Sequence, residues 1–401
     1  MTRHSNFFLF LSANFFWSLG LMVFFLLYNL HLITLGFSAA LMGQIFAIGT
    51  LGTVLGSIPA GWAADRGGPK LTLIVSATVV ASSLIWRSAA VTPALLLASS
   101  FTTGMGISFW IVSVPPFLAS NAGAKEQSPG FSSAYGLSIL TGGVAGVCGG
   151  YIPGWIGMRP SLMACGVCCG IAVLFLIFIE QPKAAIEVTP AASHAVVTGG
   201  SELRHFLFPF LAMVLVWDLL LGIFPPFFNI FFTQRHGLKV SQLGWVFSAA
   251  QFLQAAAVLS LPLWLAQLGL RRTISACQFF CFPFFALLAA STKPAWATVA
   301  YLGSATLQAL TSPIIDQFMM ANVTEAVRGK IAGTKFFISQ GAVAIAAAIG
   351  GKWIEKQGYF GLLSTASILA VVSAGLTLRI QETLSAKENL PETSANSTSV
   401  R

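Results

Sequence analysis

Gly61-Trp62-Ala63-Ala64-Asp65-Arg66-Gly67-Gly68-Pro69-Lys70 is a short charged passage set between two long apolar stretches, at about 38–61 and 70–89. Each flank is long enough to cross a hydrocarbon core of roughly 30 Å as a helix. Asp65, Arg66 and Lys70 must stay in water, and Gly68 permits a tight turn. The passage therefore reads as a hairpin turn at a membrane surface.

The same layout repeats along the chain. Apolar stretches fall at about 6–30, 38–61, 70–89, 93–117, 131–155, 161–179, 206–232, 240–266, 272–290, 295–319, 331–353 and 359–379. The ten-residue alternation of a membrane barrel is missing, so only helices can satisfy the backbone in lipid. The expected fold is an all-α membrane protein of twelve transmembrane helices. Composition agrees: 56% hydrophobic and 8% charged, against roughly 45–50% and about 25% for soluble domains. The first stretch is longer than a signal-peptide core and is read as a retained span.

The formal charge of +9 is scattered in ones and twos over short loops, which argues against a nucleic-acid surface. With a cytoplasmic N-terminus, 14 of the 21 basic residues lie on the inner side and 7 on the outer. Both termini are thus expected in the cytoplasm, in a multi-pass protein of the plasma or inner membrane. Cys165, Cys168 and Cys169 have neither histidine nor carboxylate beside them and read as packing residues, so no metal is expected. Neither a phosphate loop nor a nucleophile motif is present, no cofactor is implied, and an enzyme is not expected.

Self-comparison at an offset of 201 pairs Gly36 with Gly237, Gly43 with Gly244, Gly68 with Gly269, Lys70 with Arg271, Asn121 with Asn322 and Gly149-Gly150 with Gly350-Gly351. One residue of adjustment pairs Asn29 with Asn229. The chain reads as two pseudo-symmetric six-helix bundles, 1–180 and 206–380. Between them lies a polar cytoplasmic linker, 181–205, and after them a tail, 381–401, with no hydrophobic period, expected to be disordered.

The opening passage closely resembles the loop motif G-x-x-x-D-R-x-G-R-[KR] of the major facilitator superfamily, with Pro69 in place of an arginine. Position, cytoplasmic side and the two-half repeat agree with that resemblance over nearly the whole chain. It implies a transporter that works by alternating access, and a gating role for Gly61, Asp65, Arg66, Gly68 and Lys70. Asp65 would approach the start of span 11, where a helix dipole favours a carboxylate, and hold the cytoplasmic side shut. A second gating loop is implied between Asn322 and Lys335, at Glu325, Arg328, Lys330 and Lys335, with Asp316 available to pair with one of these cations; snorkelling of Asp316 to the interface is the alternative.

Within the spans, Asp218 stands about twelve residues into span 7, near the midplane, where a charge costs roughly 2.5–3.5 kcal/mol on insertion scales. The resemblance puts it on a cavity-lining helix, as a proton-coupling carboxylate or a counter-charge; a structural pair is the alternative. Asn14, Gln251 and Gln254 are candidates for substrate contact or for interhelical bonding. Trp17, Trp110 and Trp217 are candidates for an aromatic wall. Arg87, near the outer end of span 3, is expected to snorkel to the interface.

The marks of proton-coupled drug antiporters are incomplete, with Ser100 at the arginine position of span 4 and Ala145-Gly146 for Gly-Pro in span 5. The favoured expectation is still a proton-coupled exporter of drugs or metabolites, working as a monomer in the bilayer on a small-molecule substrate. An importer of a nutrient or siderophore-like compound, or a non-transporting sensor, remains open.

Overall fold

The computed structural model describes residues 3–121, 127–180 and 200–380. The linker residues 181–199 and the tail 381–401 lie outside the described residues. All regular structure among the described residues is helical: α1 (Arg3–Thr34), α2 (Ala39–Ala89), α3 (Pro93–Asn121), α4 (Gln127–Ile156), α5 (Met158–Ile177), α6 (Gly200–Ile223), α7 (Phe228–Ile230), α8 (Val240–Ala290), α9 (Pro294–Asn322) and α10 (Glu325–Arg379). Eight of these segments are long and apolar enough to cross a membrane. α6 begins within the expected linker, at Gly200.

α2 and α8 have 51 residues each and α10 has 55. Straight, such helices would run to roughly 75–85 Å, more than twice the hydrocarbon thickness. They are not straight: Gly68, Gly269 and Gly358 interrupt them with φ of 78°, 72° and 69°. Each helix is thus two arms joined at a left-handed residue, a conformation that costs a side chain but not glycine.

Among the described residues six glycines have positive φ, and they fall into three pairs at the 201 offset: Gly36 with Gly237, Gly68 with Gly269, and Gly157 with Gly358. The third pair was not singled out in the sequence. Beyond α6, Pro225-Pro226 end the regular helix, since proline removes a donor and clashes with the preceding turn. A 3-10 turn (Pro225–Phe227), α7 and a π turn (Phe231–Arg235) carry the chain onward.

The apolar residues gather in clusters. The largest is built mainly from residues 206–380 around Phe210, Trp217, Phe231 and Phe318. Another, around Phe10, Leu73, Trp110, Phe117 and Leu176, draws only on the first 180 residues and lies at the Gly68 end.

Candidate functional site

The seam between the halves follows the repeat. A Cβ on Gly43 in the first arm of α2 would meet the Ala347 carbonyl of α10, and one on Gly351 would meet Ala39 and Ala40. At equivalent positions, Gly244 in α8 meets the Gly146 carbonyl of α4, and Gly150 meets Ser241. Glycine lets these backbones touch, which is how helices gain van der Waals contact where lipid offers no hydrophobic drive. Ser248 Oγ donates to the Gly143 carbonyl (2.6 Å), and the Ala40 N–H donates to Glu355 Oε1 (2.7 Å). Between these seams, Asn29 Nδ2 donates to the Pro226 carbonyl (2.7 Å) and Asn229 Nδ2 to that of Leu26 (2.8 Å).

These contacts all lie toward the Gly36 and Gly237 end. At the Gly68 end the described contacts stay within one half. Lys70 Nζ donates to the Ile177 carbonyl (2.9 Å), Arg271 Nη1 to that of Ile380 (3.0 Å), and Lys335 pairs with Asp316 (2.6 Å). Asp65 and Arg66 are exposed, and Arg66 lies 4.1 Å over the Trp62 ring of its own arm. Gly61 touches nothing at its missing Cβ. Gly61, Asp65, Arg66 and Lys70 therefore make no described side-chain contact with the second half in this conformation.

Of the second loop, Arg328 Nε donates to the Val323 carbonyl (3.0 Å) and Lys330 is exposed. The Glu325 side chain lies outside the described residues. The cation that meets Asp316 is Lys335, one helical turn before Ser339 on the same face of α10.

Asp218 is buried on α6. The Ser339 hydroxyl is in hydrogen-bonding position to its carboxylate, with the charges of Lys335 and Asp316 close by. α6, α9 and α10 thus bring together a carboxylate, a hydroxyl and an ion pair.

The other candidates separate. Asn14 Nδ2 donates to Ser138 Oγ (3.0 Å), joining α1 to α4. Trp17 and Trp110 stack at 4.3 Å between ring centroids and 6° between planes. Trp217 sits instead inside the large core cluster, so the three tryptophans do not form one wall. Gln251 packs on Gly142 across the α4/α8 seam, and Gln254 is partly buried on α8.

Arg87 corrects the snorkelling expectation. Its relative exposure is 4%, and the guanidinium carbon lies 4.1 Å from the Tyr28 ring and 5.1 Å from that of Phe24. It lines a cavity of about 290 Å³ shared by α1, α2, α3 and the Pro225–Phe228 segment. Nε has no hydrogen-bond partner among the described residues, and no acidic residue lines the cavity. Snorkelling fails because the aromatic faces of α1 hold the planar cation inward.

Against known families, the Major Facilitator Superfamily model matches residues 7–347. The chain belongs to the Major Facilitator Superfamily. It is an integral membrane protein and a transporter rather than an enzyme. Solved major facilitator structures share its fold at low identity. A crystal structure of the nucleoside transporter NupG has 16% identity and a TM-score of 0.71, covering 94% of this chain and 98% of that one. A D-xylose-proton symporter has 12% identity and a TM-score of 0.77, covering 96% and 99%. The inward open xylose transporter XylE from E. coli has 12% identity and a TM-score of 0.74, covering 94% and 96%. A search of curated protein sequences found no match.

For a major facilitator chain the buried Arg87 is the residue that sequence reading missed. Burying a charge costs roughly 2.5–3.5 kcal/mol on insertion scales, and arginine cannot relieve this by losing its proton. Stacking on desolvated aromatics returns about 2 kcal/mol. The available signal was Tyr28, two spans earlier, but pairing residues across spans needs the fold.

Proposed function

We propose that the chain is a proton-coupled secondary transporter that moves a small organic solute by alternating access. It would cross the membrane twelve times in two six-span bundles, 1–180 and 206–380, joined by the linker 181–205 and followed by the tail 381–401. Counting each arm of α2, α8 and α10 as one span brings the eight membrane-length segments to eleven, and the 29-residue α9 makes the twelfth, which supports that number. The basic-residue bias supports cytoplasmic termini and puts the Gly68 end inside. The chain would then be closed outside and open inside, as a monomer in the bilayer. The observation that carries the reading is the pseudo-symmetric glycine seam at one end opposite an unengaged Asp65 and Arg66 at the other.

Proton coupling rests on Asp218. A carboxylate facing Ser339 beside the Lys335–Asp316 pair has partners for both its charged and its neutral form, which a proton carrier needs. The D-xylose-proton symporter among the structural neighbours makes this coupling a natural reading for the fold. Export has no separate support in the geometry. Ser100 Oγ donates to the Ile45 carbonyl (2.7 Å) and packs on Gly49, so it serves helix contact where antiporters keep an arginine.

The test is solute flux in proteoliposomes with and without an imposed pH gradient, for wild type and Asp218→Asn. Gradient-driven accumulation that Asp218→Asn loses, with solute counterflow retained, is expected. Flux indifferent to the gradient, with a fully active variant, would overturn proton coupling. The sign of the accumulation gives the direction.

A further inference from the structure

The cavity around Arg87 lies apart from Asp218 and has different chemistry. Its polar lining is Tyr28, Asn29, Thr50, Thr53, Arg87, Ser100 and Thr103. Most of these have already spent their donors. Thr50 donates to Phe46, Thr53 to Gly49, Ser100 to Ile45, Thr103 to Ser83 and Ser99, and Asn29 to Pro226. The Arg87 Nε and the Tyr28 hydroxyl are buried and have no partner among the described residues. The rest of the wall is apolar, with Phe25, Met42, Ile45, Phe46, Ile107 and Phe228.

We propose that this cavity binds a small organic anion, a carboxylate on an apolar body, with Arg87 and Tyr28 donating to the carboxylate. A fixed cation without a counter-ion calls for an acceptor of opposite charge, and a planar guanidinium suits a carboxylate. The apolar wall excludes a fully hydrated ion, and the volume admits a body the size of one aromatic ring. That this anion is the cargo rests on the transport reading; the binding itself does not.

The experiment measures thermal stabilisation of the purified full chain in detergent by benzoate and hexanoate, by their neutral amides, and by inorganic phosphate. Saturable stabilisation by a carboxylate but not its amide is expected. Arg87→Gln should weaken it at least tenfold, Arg87→Lys less, and Tyr28→Phe a few-fold. Equal effects of acid and amide, stabilisation by phosphate alone, no stabilisation, or unchanged affinity in Arg87→Gln would each overturn the proposal. Where Arg87→Gln does not give monodisperse protein, the wild-type acid and amide pairs with Tyr28→Phe decide it. Carboxylate binding without carboxylate flux leaves the site standing and counts against the transport reading. Flux of a neutral solute with no carboxylate binding does the reverse.

Discussion

Asn29 and Asn229, equivalent positions in the two halves of the chain, each donate a side-chain amide into the other's segment, Asn29 to the Pro226 carbonyl and Asn229 to that of Leu26. The acceptors are equivalent too, since Leu26 and Pro226 stand the same 200 residues apart as the two asparagines. Asn29 Nδ2 also lies 3.3 Å from Asn229 Oδ1, and that oxygen accepts the Ile230 N–H (2.9 Å). A pair repeated by sequence thus meets itself where the halves join, beside the kink that Pro225 and Pro226 impose.

Asn229→Leu should loosen that joint by about 1–3 kcal/mol, because its buried partners lose their hydrogen bonds. Asn29→Leu should cost less, as Asn29 is only partly buried. Spin labels on the exposed Thr34 and Gln234 report the width of this face by pulsed electron resonance. The double variant should fall short of the summed single effects by roughly 0.5 kcal/mol or more; strict additivity would mean that the two asparagines act independently.

The repeat was legible because glycine and asparagine recur for backbone reasons that survive when apolar residues drift. Gly36 with Gly237 and Gly68 with Gly269 were found as sequence pairs and returned as pairs of left-handed residues. Gly157 with Gly358 passed unnoticed, since a lone glycine among many carries no sign of its φ. The site was less legible. Asp218 stood out because a charge in an apolar run is conspicuous, whereas Lys335 was read only as one of several cations open to Asp316. Its pairing with Asp316 depends on the approach of α9 to α10, which no spacing along one helix encodes. Arg87 was misread for the same reason: depth along a span does not say which way the side chain turns.

Gly43→Val should open the same face, because the added carbons collide with the backbone carbonyl of Ala347, which cannot rotate away. Gly244→Val should do the same against Gly146. Gly341→Ala in α10 has open space at its Cβ and serves as the control. The Thr34 to Gln234 label distance should lengthen in both valine variants and not in the control. An unchanged distance in Gly43→Val would show that the glycine seam does not set closure.

Acid should act on one contact of this face. The Glu355 carboxylate is held below its ordinary value of 4.5, first by the Ala40 N–H and then by the Ser38 hydroxyl. A lowered value means that the closed face favours the charged form, so its contribution is full above 4.5 and is lost as pH falls through the lowered value. Glu355 is exposed, so the contribution is modest. As pH falls from 4.5 through that lowered value the Thr34 to Gln234 distribution should broaden. Glu355→Gln should be broader at neutral pH and show no acid step; an identical acid step in that variant would assign the titration elsewhere.

Asp65 is the remaining test, because it is exposed and unpaired among the described residues. An exposed residue with no hydrogen bond or ion pair among the described residues should be removable at a cost within about 0.5 kcal/mol of stability. The resemblance gives it work only when the Gly68 end shuts. Asp65→Asn should therefore leave thermal stability and the Thr34 to Gln234 distance as they are, yet deplete the short-distance population between labels at Gly67 and Gln267 and slow solute counterflow several-fold. Lys70→Gln makes the contrast. Its ammonium caps the last turn of α5 through the Ile177 carbonyl, so its loss should cost about 0.3–1 kcal/mol of stability directly. Wild-type counterflow and an undiminished closed population in Asp65→Asn would reduce the charged turn to a solvated one that only sets topology.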